Sequence, residues 1–470
     1  MSLQLTQRNE YKLMQASSPL RTLYKDEKSY YYKPIIMKTE DLYQLYLEHR
    51  NICTDTRKIS KSCLFFALKG ENFDANEFAS KAIDNGASYA IIDDGRFAMD
   101  NRYILVEDVL KTLQNLSAFH RKQLTIPIIG ITGSNGKTTT KEVIKSVLSQ
   151  HCRTYATEGN LNNHIGVPLT ILSIREDCEI AIIEMGANHQ KEIEFLCSLA
   201  QPDYGLITNI GKAHLEGFGG IEGVMIGKGE LYEYLAKTEG TAFINTDNPT
   251  LIDMSRDRDV KNVVGYGQGT TNFVSGGVKA ATPFLTIEWQ LKGQEDAIFI
   301  AESNLPGTYN FENILAAICI GNFFKLGPAQ INQGIHAYLP QNNRSQILET
   351  KYNTIICDYY NANPSSMMVA LDNLESVPAE QKVMILGDMF ELGADSAMEH
   401  RLILEKAMET SANRKIFIGE EFYKLKDNLG EFYKTTSDAF LALQKTPPTD
   451  STILLKGSRG MKLESLISNF

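Results

Sequence analysis

The stretch IPIIGITGSNGKTTT (126–140) is a run of buried-strand residues ending in glycines, then Lys137-Thr138, then a helix start. The helix that follows places Val143, Ile144, Val147 and Leu148 on one face at i, i+1, i+4, i+5 spacing. Strand, glycine loop, Lys-Thr and helix come in the order that a phosphate cradle requires. Glycines let backbone amides turn toward phosphate oxygens, and the helix N-terminus adds a favourable dipole. A lysine here reaches the β- and γ-phosphates, and a threonine hydroxyl can ligate Mg²⁺. The full phosphate-loop pattern asks for glycine five residues before Gly136, where Ile131 stands, so only the GxxGK[ST] core matches. The competing reading is an ordinary glycine-rich strand–helix turn. Gly133, Ser134, Asn135, Gly136, Lys137, Thr138 and Thr139 are the expected nucleotide contacts.

Working outward, strand-like runs recur at Glu179–Glu184 and Tyr204–Thr208 with helical stretches between them, the βαβ rhythm of a mainly parallel sheet. Ligands bind at the C-terminal ends of such strands, where Glu184 closes the run EIAII and where His214 follows TNIG (208–211). Taken alone, a strand-end glutamate is a solvated or capping residue and a single histidine is structural. A glycine-flanked loop and a neutral imidazole also suit a metal ligand.

Three α/β domains are expected: a small N-terminal unit over 37–122, a central phosphate-loop domain over 123–339, and a Rossmann-like C-terminal domain over 340–470. The first holds the runs CLFFAL, ASYAIIDD and RYILVED. The second turns β-rich and glycine-punctuated from about Val263 to Ala301, suggesting an antiparallel extension. The third alternates helices with strand candidates at Thr354–Cys357, Val383–Leu386, Lys415–Ile418 and Thr452–Leu455. Residues 1–36 are polar, lack the apolar core of a signal peptide and read as a flexible extension, with Met37 a plausible alternative start.

The composition is that of a soluble globular protein, 43% hydrophobic and 22% charged in 470 residues. A formal net charge of −10 argues against a general nucleic-acid binder. Seven scattered cysteines without CxxC pairing suit reduced thiols in a cytoplasmic protein. No run approaches the roughly 20 apolar residues of a membrane-spanning helix.

The chain resembles the Mur ligase family through TDTRK (54–58), ALKG (67–70), the loop at 130–140, GNLNNHIGVPLT (159–170), IEMGANH (183–189), TNIGKAHLEGFG (208–219) and KGE (228–230). The resemblance continues through INTDN (244–248), LPGTYNFENILAA (305–317), DYYNANPSSM (358–367), LGDMFELG (386–393) and LKGSRG (455–460). YNANP and LGDMFELG resemble the branch that adds D-alanyl-D-alanine. The DNPR-type signature of the diaminopimelate-adding branch is absent.

What the resemblance implies is an ATP-dependent ligase of peptidoglycan precursor synthesis. It would join D-alanyl-D-alanine to the terminal carboxylate of a UDP-N-acetylmuramoyl-tripeptide through an acyl phosphate, working as a cytoplasmic monomer. It implies that Thr54, Asp55, Thr56 and Arg57 bind the uridine diphosphate, and that Asn160, Asn162 and Asn163 line the muramoyl-peptide side. Thr138 and Glu184 would ligate one Mg²⁺, and His214 with a carbamylated Lys228 would form a second metal site. Asn310, Arg344 and Asp358 would lie near the ATP. Without the resemblance, Lys228 reads as a solvent-facing helix lysine.

This chain departs from the family pattern at three places. Tyr309 replaces the histidine of LPGxHN, Ala75-Asn76 replaces a Gly-His pair, and Cys357-Asp358 replaces paired aspartates. The rivals are another acid–amino-acid ligase, such as a folylpolyglutamate synthase, and a phosphate-loop module that uses nucleotide only as a switch.

Overall fold

The computed structural model describes residues 37–470 except Glu295 and Asn342, together with the backbone of an antiparallel ribbon, Leu23–Asp26 with Ser29–Tyr32. Apart from that ribbon, the extension expected to be flexible lies outside the described residues. The chain divides into two compact units, 1–120 and 121–470.

The first unit holds a four-stranded parallel sheet, in the order Ile52–Cys53, Leu64–Phe66, Tyr89–Ile92, Tyr103–Leu105. Phe65, Ala67, Ala90 and Ile92 pack with Ala79, Ala82 and Ile83 of the helix Ala79–Asp84 to form its core.

The second unit contains two sheets. The strand from the decisive stretch, β1 (Ile128–Thr132), is central in the larger one and buried at all five residues. It is followed by α1 (Lys137–Leu148), β2 (Thr154–Ala156), β3 (Ile180–Glu184), β4 (Tyr204–Ile207), β5 (Thr241–Asn245) and β6 (Asn262–Gly267). The sheet then continues through β7 (Val274–Ala280), β8 (Thr286–Leu291) and β9 (Phe299–Glu302), and its spatial order is β2-β3-β1-β4-β5-β6-β7-β8-β9.

The expected antiparallel extension begins later than Val263. The helix Pro249–Asp257 supplies the crossover that keeps β6 parallel to β5, and β7 pairs parallel to β6 through Tyr266–Val274 and Gly267–Ser275. Only β7–β8 and β8–β9 are antiparallel. The short strands Ile52–Cys53 and β2 carry too few alternating residues to stand out in the sequence.

The expected apolar face of α1 is buried at Val143, Ile144, Val147 and Leu148. Two helices pack against it, α2 (Phe311–Phe323) and α3 (Pro328–Ala337). The approach is close: a Cβ on Gly334 of α3 would stand 2.5 Å from the Val147 Cα, and one on Gly321 of α2 would stand 2.8 Å from Val147 Cγ1.

The smaller sheet is Rossmann-like, with an antiparallel edge strand β10 (Gln346–Glu349) followed by parallel strands β11 (Asn353–Cys357), β12 (Lys382–Gly387), β13 (Arg414–Ile418), β14 (Glu431–Tyr433) and β15 (Ser451–Lys456). Its order is β10-β11-β15-β12-β13-β14. The four strands expected from sequence are all present. The C-terminal ends of β11, β12 and β15 release the DYYNANP, LGDMFELG and LKGSRG segments.

Gly334→Ala should lower stability by about 1–3 kcal/mol, because backbone cannot yield to the new methyl. That outweighs the ~1 kcal/mol alanine gains over glycine in a helix. Urea unfolding monitored by circular dichroism measures the difference.

Candidate active site

Ile131 explains why the loop misses the longer pattern. It is still inside β1, fully buried and paired with both Glu184 and Leu206, so the turn starts only at Gly133. Gly133 has φ 139° and Gly136 has φ 78°, backbone that a side chain opposes. A Cβ at Gly133 would lie 2.0 Å from Thr208 Oγ1, and one at Gly136 2.7 Å from Asn313 Oδ1. The loop is also laced to the strand-end segment after β4. Asn135 N donates to Asn209 Oδ1 at 3.0 Å, Thr208 Oγ1 donates to Asn135 O at 2.6 Å, and Gly211 N donates to Ser134 Oγ at 2.9 Å.

Lys137 folds back across this loop, donating to the carbonyls of Gly133 (2.6 Å) and Ser134 (3.2 Å). Its surroundings strip water from the ammonium and pull its pKa down to about 8, against the attraction of Glu184. Glu184 is 1% exposed. Thr138 Oγ1 lies 2.9 and 3.1 Å from its two oxygens, Asn162 Nδ2 donates to Oε1 at 2.8 Å, and Lys141 Nζ stands 3.8 Å from Oε2. Lys141 is fully buried and also donates to Thr157 O. It was not anticipated, although its i+4 spacing from Lys137 puts both on one helix face.

These groups open onto a cavity of about 1110 Å³ in the second unit, into which both sheets deliver residues. Its walls include Asn160, Asn162, Asn163, Glu184, His214, Asn310, Arg344 and Asp358 together with the loop residues Ser134, Asn135, Gly136, Lys137 and Thr139. Sequence-expected residues far apart in the chain are therefore brought together.

Their local duties differ from a simple lining. Asn162 is spent on Glu184, while the Asn163 carboxamide accepts from Ile165 N (3.1 Å) and Gly166 N (2.9 Å). Asn310 is 1% exposed and bridges Pro306 O and Asn313 Nδ2 at 2.8 and 2.9 Å. Arg344 lies over the Tyr360 ring at 3.8 Å, and Asp358 Oδ2 accepts from the buried Lys456 at 2.6 Å. The YNANP segment reaches the phosphate loop directly, with Asn363 Nδ2 donating to Asn135 Oδ1 at 2.8 Å.

Lys228 is not a solvent-facing lysine. It is 1% exposed, donates to Ala187 O at 2.9 Å and lies 4.9 Å from the Phe218 ring centroid. Burial, reinforced by repulsion from Lys137, holds its pKa well below the ordinary lysine value. His214 lines the cavity in a left-handed conformation (φ 55°), with Nδ1 in close contact with Glu391 Oε2. Glu391 was not anticipated as a site residue, although it lies inside LGDMFELG.

Thr54, Asp55, Thr56 and Arg57 belong to the first unit. There the Asp55 carboxylate accepts from Arg57 N (2.9 Å), Nε (2.9 Å) and Nη2 (2.8 Å), and these bonds pull its pKa down to about 2. The segment is a capped turn with Arg57 already paired.

Among the described residues no cluster of three or more histidine, cysteine or carboxylate side chains stands ready for a metal. The hard oxygens of Thr138 and Glu184 nevertheless suit Mg²⁺. That ion keeps several waters and takes one or two carboxylates plus substrate phosphates rather than a protein cage.

A phosphate loop on a parallel sheet, facing a Rossmann-like sheet across one cavity, defines a nucleotide-binding architecture. Residues 131–321 match the family described as Mur ligase middle domain, and residues 343–459 match that described as Mur ligase, glutamate ligase domain. The chain is 35% identical over 431 residues, 89% of its length and 92% of the relative's, to the UDP-N-acetylmuramoyl-tripeptide–D-alanyl-D-alanine ligase of Bacillus subtilis (strain 168). The chain belongs to the Mur ligase family. Among solved structures, it superposes on MurF from Acinetobacter baumannii with a TM-score of 0.80 at 28% identity, covering 91% of this chain and 97% of the other. MurF ligase from Thermotoga maritima in complex with ADP gives a TM-score of 0.78 at 26% identity, covering 90% and 97%.

Gly133→Ala should weaken ADP binding at least about tenfold, or 1.4 kcal/mol, because the methyl collides with Thr208 and distorts the amide cradle. Titration calorimetry with ADP reads this directly.

Proposed function

We propose that the protein joins D-alanyl-D-alanine to the terminal carboxylate of a UDP-N-acetylmuramoyl-tripeptide, driven by ATP, in peptidoglycan precursor synthesis. The observation that carries this reading is the meeting of the Lys137 loop, the Thr138–Glu184 pair and the YNANP and LGDMFELG segments at one cavity. Two relatives, each matched over 92% of its own length, bear that activity in their names.

The tripeptide carboxylate attacks the γ-phosphorus of ATP, breaking its bond to the β–γ bridging oxygen and giving an acyl phosphate and ADP. Lys137 places a positive charge beside phosphoryl oxygens that would otherwise repel the incoming carboxylate. The dipeptide amine then attacks the acyl carbon, loses a proton, and the tetrahedral intermediate expels phosphate. Closure of the two sheets on the cavity would keep water from the acyl phosphate, whose hydrolysis would waste ATP.

Thr138 and Glu184 would hold one Mg²⁺, and His214 with Lys228 as its carbamate a second; the ions supply charge neutralisation at the transferring phosphoryl group. Burial favours the carbamate, because it disfavours the Lys228 ammonium relative to the free amine that reacts with CO₂. Asn310, Arg344 and Asp358 are assigned to the nucleotide, Asn160, Asn162 and Asn163 to the muramoyl-peptide, and Thr54, Asp55, Thr56 and Arg57 to the uridine diphosphate. Domain boundaries near 122 and 340, a monomeric working unit and a cytoplasmic location complete the reading. No helix among the described residues is long and apolar enough to cross a membrane.

Lys137→Ala should retain its fold while turnover falls by about three orders of magnitude or more, the range for losing a cation that stabilises a transferring phosphoryl group. Phosphate release is the readout, with tripeptide and dipeptide omitted in turn. Release that ignores the dipeptide would refute the ligase reading and favour a nucleotide switch. Intact mass measured from bicarbonate-containing buffer should show one added carboxyl group, lost in Lys228→Ala; an unmodified chain with full activity would remove the carbamate from the scheme.

A further inference from the structure

We propose that Glu391 is the positioning residue for His214, reaching it from the opposite sheet, so that this metal-binding histidine is set only when the two sheets close on the cavity. The inference rests on the reading of His214 as a metal ligand.

Residues 211–216 leave the larger sheet after β4 and carry His214 between two further contacts with the smaller sheet's domain. Lys212 N donates to Ser365 Oγ at 3.0 Å, and its ammonium pairs with Glu399, a carboxylate only 3% exposed. Glu216 N donates to Glu391 O at 3.4 Å, and a Cβ on Gly393 would stand 3.2 Å from Glu216 Cβ. Between these two grips, His214 Nδ1 meets Glu391 Oε2.

The loop that presents Glu391 is anchored along its length. Asp388 accepts from the amides of Glu421 (2.9 Å) and Phe422 (3.0 Å), and Phe390 N donates to Ser458 Oγ at 2.9 Å. Met389 N donates to His400 Nε2 at 3.0 Å, which leaves the His400 Nδ1–H to donate to Ser396 O at 2.8 Å. With its backbone held so, Glu391 takes a left-handed conformation (φ 62°), facing a histidine in the same unfavoured region (φ 55°). Residues kept in such backbone at a cavity wall point to a geometry that the surrounding structure enforces.

The chemistry matches the placement. A carboxylate on one imidazole nitrogen fixes the tautomer and ring orientation and leaves the other nitrogen for a metal. Here that leaves Nε2. Because His214 and Glu391 belong to different sheets, the pair forms only while those sheets are held together, and Lys212–Glu399 flanks it on the same side.

The test uses the full chain with Mn²⁺ as probe and a non-hydrolysable ATP analogue, following bound Mn²⁺ by electron paramagnetic resonance. His214→Ala, Glu391→Ala and Glu391→Gln are compared, with melting temperature and ADP affinity as controls. Glu391→Ala should weaken the second Mn²⁺ by about 10–100-fold, the usual cost of losing such a partner. Glu391→Gln, whose side-chain carbonyl can occupy the same place beside Nδ1, should lose less, and the controls should not move. Weakened Mn²⁺ in His214→Ala but not in either Glu391 variant would overturn the inference. Unchanged Mn²⁺ binding in all three would instead remove His214 from the metal site, and the inference with it.

Discussion

The hydrogen bond between the Thr138 hydroxyl and the Glu184 carboxylate depends on strand register, and the rest of the site depends on it. β1 and β3 run parallel with Ile131 opposite Glu184, which sets the glutamate at the depth where the phosphate loop begins its helix. A one-residue slip would turn that carboxylate to the other face of the sheet. Glu184 and Lys141 are both buried, and they remain tolerable because Thr138, Asn162, Thr157 and Glu142 share their hydrogen bonds and charge. Removing one partner from such a buried pair costs about 3–5 kcal/mol because the other charge is stranded, so the two residues are held to each other.

Around that centre the cavity belongs to neither sheet alone. The larger sheet offers the loop, Glu184 and His214; the smaller one offers Asp358, Asn363 and Glu391 from the ends of its own parallel strands. Crevices outside the carboxyl ends of strands are where open α/β sheets bind ligands. Here two such ends face one another, which suits a reaction that must gather a nucleotide, an acid and an amine and then exclude water.

The three departures from the family pattern are absorbed locally. Cys357 is 2% exposed and points into the core of the smaller sheet, while the alternation of β11 sends Asp358 to the cavity, so a second carboxylate at 357 would lie among apolar side chains. Asn76 is fully buried and ties Asp74 (2.6 Å) to Asp93 (2.7 Å) through its amide, linking the two segments as a donor side chain should. Tyr309 places its hydroxyl 2.7 Å from Ser345 Oγ. That contact ties the turn preceding α2 to the residue preceding β10.

Much was legible along the chain because it is local. The phosphate loop, its helix and the long central strands each carry their pattern within about 20 residues, and the resemblance of scattered segments ordered the remaining site residues. Three things were not legible. Lys228 reads as an exposed helix lysine until its helix is packed, when Ala187 and Phe218 cover it. Lys141 becomes a partner of Glu184 only after β3 is laid beside β1. Glu391 meets His214 across 177 residues of sequence, a pairing that neither segment's local pattern encodes. The sequence by itself determined the chemistry available, since glycines, Lys137, Thr138 and Glu184 sit at strand ends that any parallel sheet would expose. Tertiary structure decided which charges are buried and which distant groups touch, because desolvation and contact are properties of packing rather than of neighbours in the chain.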